Sequence, residues 1–156
     1  MQEEQQVPVR SIVVNAQYVK DISFENPRAS TALTQQVDPA INLGLEVEVN
    51  SVKQDMYEVI LRINADAVFQ EQKIFLITLE YAGLFTLDSA LDKGEKEILL
   101  SVQCPNLLFP YARRVLSDIT KDGGYPPLLL SPVDFGALYM QRKQNEEESE
   151  KGRIIN

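Results

Sequence analysis

From Ile41 to Asn50 apolar and polar residues alternate without exception, with Ile41, Leu43, Leu45, Val47 and Val49 on one side and Asn42, Gly44, Glu46, Glu48 and Asn50 on the other. A β-strand with one buried face has this period, because successive side chains leave the pleat in opposite directions. The period returns in the next segment, where Tyr57, Val59, Leu61, Ile63, Ala65, Ala67 and Phe69 lie opposite Glu58, Arg62, Asn64 and Asp66. It returns again at Phe75, Ile77, Leu79, Tyr81 and Phe85. An earlier stretch carries it at Ile12, Val14, Ala16, Tyr18, Ile22 and Phe24, interrupted by Lys20. Short connections join the last three strands and predict an antiparallel meander. Residues 26–40, which include Pro27 and Pro39, are too long for a hairpin and predict a crossover over or under the sheet.

The last third changes period. Pro105 and Asn106 open a helical pattern through Leu107, Leu108, Phe109, Tyr111, Ala112, Val115, Leu116 and Ile119, closed by Asp122, Gly123 and Gly124. Pro110 lies inside it and predicts a kink or a delayed start. A second helix is expected with Ser131 as N-cap and Pro132 at its first position, running through Phe135, Leu138 and Tyr139 to about Gln144. The chain divides into a flexible N-terminus over residues 1–10, one α+β domain over 11–144 and a disordered acidic tail over 145–156.

On a helical wheel the apolar residues from Leu107 to Ile119 fill an arc of about 200°, twice what a helix needs to sit on one sheet. The surplus is covered by the second helix or by another copy of the chain. Ile74, Leu76 and Leu84 put apolar residues on the strand face that should meet water. Both features favour an oligomer or an apolar binding surface.

The chain has no histidine, no tryptophan and a single cysteine, Cys104. Histidine-assisted nucleophilic catalysis and imidazole metal sites are therefore excluded, and neither an enzyme nor a cofactor is expected. Lys and Arg number 15 against 23 Asp and Glu, for a formal charge of -8. That surface repels phosphate backbones and suits a basic partner rather than nucleic acid. The N-terminal MQEEQQ lacks the pattern of a signal peptide, and no apolar run is long enough to span a bilayer, so a cytoplasmic protein without membrane insertion is expected. Asp21 and Glu25 lie four residues apart on a strand, about 13 Å, too far for a catalytic carboxylate pair. They read as a contact patch for a basic partner or as a plain solvated face.

Four segments, in order and in register from about residue 11 to 143, resemble the SecB family of protein-export chaperones. They are Tyr18-Val19-Lys20-Asp21-Ile22-Ser23-Phe24-Glu25-Asn26-Pro27, Tyr57-Glu58-Val59-Ile60-Leu61-Arg62, Cys104-Pro105-Asn106-Leu107-Leu108-Phe109-Pro110-Tyr111-Ala112-Arg113 and Leu130-Ser131-Pro132-Val133-Asp134-Phe135. The resemblance implies a four-stranded antiparallel sheet with two main C-terminal helices, assembled as a homotetramer, a dimer of dimers with helices between two sheets. It implies an ATP-independent holdase that binds unfolded precursor polypeptides and hands them to the SecA motor. The family's acidic SecA contacts fall on Asp21 and Glu25, with Thr78 at a further acidic position and Glu80 as its nearest replacement. Val37 stands where the family has an aromatic residue. An expected client groove combines Leu33, Val37, Tyr125, Leu128, Leu130, Phe135 and Tyr139, and the expected oligomer interface combines Leu108, Ala112, Val115, Leu116 and Ile119. The alternatives are a SecB-like chaperone of a toxin-antitoxin system and a carrier of a small apolar ligand.

Overall fold

The computed structural model describes residues 12–35 and 37–154, so the expected flexible segment 1–10 lies outside them. Four strands, β1 (Ile12–Glu25), β2 (Ala40–Lys53), β3 (Met56–Phe69) and β4 (Gln72–Leu87), form one sheet in the order β1-β4-β3-β2 with every neighbouring pair antiparallel. β2, β3 and β4 are the predicted meander. β1 pairs with β4, so the crossover carries the chain from one edge of the sheet to the other. It does so through a short helix α1 (Ala29–Ala32), burying Ala32 and laying Leu33 on Gly124. The β3–β4 turn holds Gln70 and Glu71 at φ of 50° and 63°, the twist that two-residue hairpins require.

Two bulges correct the simple alternation read for β1. The pairing with β4 shifts between Val14 and Ala16 and again between Val19 and Asp21. The first shift turns Ala16 and Tyr18 to the outer face and brings Gln17 and Val19 inward. The second restores the parity, so Ile22 and Phe24 face inward as Ile12 and Val14 do. Ile74 is a further correction. The register of β3 and β4 shifts beside it, between Ala67 and Val68, and it lies buried with Phe75 in the core. Leu76 and Leu84 do lie on the outer face, half-buried.

Helical structure begins earlier than Pro105. Asp92 caps α2 (Lys93–Ile98) by accepting a hydrogen bond from the Glu95 amide at 2.8 Å, and a π-helical turn (Leu99–Gln103) leads directly into α3 (Cys104–Asp122). Pro110 therefore sits well inside a helix already under way. Cys104, Leu108, Ala112, Leu116 and Thr120 repeat every fourth residue and form the buried stripe of α3 on the inner face of the sheet. Gly83 on β4 lets the helix come close, since a Cβ there would meet the Phe85 ring at 2.7 Å and Leu108 at 3.0 Å.

α4 (Phe135–Ile154) starts after the expected N-cap. Asp134, not Ser131, accepts from the Ala137 amide at 3.0 Å, and Pro132 precedes the helix. The helix also runs past Gln144, so residues 145–154, expected as disordered tail, continue it. Glu and Lys are good helix formers, and an Arg142–Glu146 pair at 3.5 Å spans the join.

Candidate functional site

The outer face of the sheet concentrates acid. Asp21 and Glu25 on β1, Glu46 and Glu48 on β2, Glu58 and Asp66 on β3, and Glu80 on β4 share it with the cations Lys20 and Arg62. Arg62 sits among three of the acids. Its Nε lies 3.0 Å from Glu80, its Nη2 2.9 Å from Glu48 and its Nη1 3.4 Å from Glu46. Glu58 accepts from Lys20 Nζ at 2.8 Å and from the Tyr18 hydroxyl, and those two donors hold its carboxyl below the usual range. Burial first, and then the neighbouring carboxylate, pushes the Tyr18 phenol up to about 12.

Of the three acids expected to hold a partner, Asp21 and Glu80 are direct cross-strand neighbours, while Glu25 lies farther along β1 opposite Leu76. Glu80 is tied to Arg62. Asp21 and Glu25 are exposed, and neither has an ion pair among the described residues. Thr78 stands opposite Ser23, so the strands present hydroxyls between these acids. The remaining acids of the face were already visible as the polar halves of the alternating strands.

The seven residues of the expected client groove do not form one lining. Leu33, Tyr125 and Leu128 gather where α3 ends. Tyr125 packs its ring 5.0 Å from Phe75 and donates to Asn26 Oδ1, and the Leu128 amide donates to Thr120 Oγ1 at 2.9 Å. Val37 is half-buried against the core, and Leu130 is buried in it, its carbonyl accepting from Arg113 Nε. Phe135 is 2% exposed and packs edge-on against Phe109. Phe135 and Tyr139 instead line a groove of about 880 Å³ between β2 and α4. Leu45, Val47, Val49 and Leu138 complete its apolar lining, and Glu46, Glu48, Arg62, Arg142, Glu146 and Glu150 form its charged one. Sequence reasoning missed the β2 wall, although the strict alternation from Ile41 to Val49 had marked it.

The expected oligomer interface needs correction as well. Leu108, Ala112 and Leu116 are wholly buried against their own sheet, and Val115 and Ile119 are half-buried beside them. The apolar side chains that α3 leaves open are Leu107 and Tyr111, 43% and 52% exposed, with the Tyr111 ring stacked on Tyr81. Val14, Val19 and Ile22 of β1 are exposed on the same inner face. The wide arc was real, but its Leu108, Ala112 and Leu116 side faces the protomer's own sheet and its open side is the one that holds Leu107 and Tyr111.

Comparison with known proteins gives a consistent result. Residues 2–146 match the family described as preprotein translocase subunit SecB. The chain is 49% identical to the protein-export protein SecB of Maricaulis maris over 81% of its length and 73% of the relative's. It is 44% identical to that of Rickettsia akari over 88% of this chain and 91% of the relative, and 38% identical to that of Methylococcus capsulatus over 95% of both. A SecB-like chaperone of Mycobacterium tuberculosis, solved in complex with a ChAD peptide from an antitoxin, shares the fold. Its TM-score is 0.66 at 19% identity, covering 79% of this chain and 91% of the other.

Proposed function

The chain belongs to the SecB family, and from that membership we propose that it is an ATP-independent holdase that binds unfolded secretory precursors in the cytoplasm, keeps them competent for translocation and delivers them to the SecA motor. One observation carries the reading beyond the family name. The sheet separates two chemistries: its outer face is acidic with Asp21 and Glu25 unpaired among the described residues, while apolar side chains remain open on its inner face and beside α4. The first suits a basic docking partner and the second an unfolded chain. The protein is a chaperone in this reading and not an enzyme. Assembly as a dimer of dimers belongs to the same reading, and the open apolar strip of Leu107, Tyr111, Val14, Val19 and Ile22, which a second copy would cover, supports one of the contacts it needs.

The antitoxin-chaperone alternative has less support, because the solved chaperone tied to an antitoxin is a distant relative and shares only the fold. A carrier of a small apolar ligand fits poorly with a groove lined by charged residues as well as apolar ones. The test is a pull-down of newly made polypeptides on the full-length protein. Unprocessed secretory precursors should be enriched over mature cytoplasmic chains, and equal capture of both would overturn the export role.

A further inference from the structure

β2 is an edge strand, hydrogen-bonded to β3 on one side and, among the described residues, to no strand on the other. In an antiparallel strand the N–H and C=O of one residue point to the same side and those of the next residue to the opposite side. Arg142 Nη1 of α4 donates to the Val47 carbonyl at 3.2 Å. That contact marks Val47, and with it Leu45 and Val49, as residues whose backbone groups face the open edge. Their side chains are also the apolar wall of the groove between β2 and α4. An extended polypeptide laid there meets apolar surface and unpaired backbone groups together, the chemistry of strand addition.

Arg142 stands in that path on a side chain that is 61% exposed. Its Nε keeps Glu146 Oε1, one turn along α4, within 3.5 Å. Lifting the guanidinium off Val47 therefore leaves the cation with a partner. Charged side chains commonly blunt exposed sheet edges against unwanted pairing. Here the blunting group is reversible, because it sits on a different element and is held by one solvent-exposed hydrogen bond.

We propose that Arg142 is a displaceable plug on the β2 edge, holding the Val47 carbonyl in the empty protein and yielding it to an extended segment of unfolded polypeptide. The inference rests on the holdase reading. It is tested on the full-length chain with Arg142→Met, which keeps an apolar stem and removes the donors. One probe is reduced, carboxymethylated lysozyme, an unfolded chain. The others are an extended peptide long enough to lie along β2 and the same peptide N-methylated at alternate backbone nitrogens, which cannot add to an edge. The plain peptide should bind the variant about two- to tenfold more tightly than the unaltered protein, the range one exposed hydrogen bond supplies, and the N-methylated peptide should gain nothing. An equal gain for both peptides would overturn the plug, since the effect would then come from the charge or shape of the groove. Association of the variant beyond that of the unaltered protein on light scattering would give the edge to a second copy and overturn the assigned occupant. If both proteins hold carboxymethylated lysozyme and the plain peptide gains nothing, the plug alone falls. If neither protein holds it, the holdase reading falls and the plug with it.

Discussion

Cys104 begins α3 wholly buried beneath the sheet, and burial pushes its thiol up to about 12 from an ordinary 9.0. The thiol is protonated and shielded near neutrality, so an alkylating reagent should leave it unmodified in the native protein and label it after unfolding, read by mass spectrometry. Between pH 9 and 12 the folded state holds this proton and the unfolded state releases it. Stability should therefore fall with rising pH in that window, by at most about 1.4 kcal/mol per pH unit from this group. A urea series in Cys104→Ala should show a shallower alkaline decline. Asp21 and Glu25 present the opposite case, two exposed carboxylates with no structural partner among the described residues. Charge reversal at both should leave the unfolding free energy from a urea series within about 0.5 kcal/mol of the unaltered protein's, as exposed sites usually do. It should abolish measurable SecA binding by calorimetry while client holding survives. The SecA affinity of the unaltered protein should also fall as salt rises, because exposed charges are screened within about 8 Å at physiological ionic strength. Unchanged affinity in the double variant would place the contact elsewhere.

The strands were legible because a half-buried strand writes its period into every second residue, as from Ile41 to Val49. The bulges in β1 were not, because two shifts cancel and leave both ends of the strand with the parity that plain alternation gives. Gln17 and Val19 read as outward residues and Ala16 and Tyr18 as inward ones, and only pairing with β4 decides otherwise. α2 escaped for a different reason, since it is six residues long and buries none of them, so it writes no apolar stripe into the sequence. Its cap was nevertheless present as Asp92-Lys93-Gly94-Glu95, with an acceptor three residues before a Glu. The α3 wheel showed that both sides were apolar but gave no way to choose between them. The structure puts the Leu108, Ala112 and Leu116 stripe inward, so Leu116→Glu should cost on the order of several kcal/mol and yield unfolded or aggregated protein. Tyr111→Asp, on the open side, should keep the circular dichroism of the folded chain and shift the mass by light scattering toward smaller assemblies. If Tyr111→Asp leaves the assembly intact, the contact between copies does not run along this strip.

At the scale of the molecule, a holder of many different chains cannot rely on pockets cut for particular side chains, so its affinity must come from apolar area and backbone contacts. The groove beside β2 is open and modest. Two or three client side chains buried there at about 1.5 to 3 kcal/mol each contribute several kcal/mol, before the cost of ordering a flexible chain is subtracted. A second apolar cluster, Leu33 with Tyr125 and Leu128, lies apart from it where α3 ends, so even one protomer presents two separated patches. An assembly repeats both in each copy. Once one segment of a long chain is bound, the next site sees a high effective concentration of the rest, and weak sites add up to tight holding without any new contact. A full-length unfolded polypeptide should therefore bind at least about a hundredfold more tightly than a short peptide cut from it, the lower end of the usual avidity gain. The folded form of the same polypeptide, with its apolar side chains inside, should hardly bind. Calorimetric titration of long, short and folded ligands measures all three. Equal affinity for long and short unfolded ligands would overturn holding by many weak sites. Polar replacement of Leu128 together with Tyr139, one residue from each patch, should reduce affinity for the long chain, and no loss would remove both patches as client surfaces.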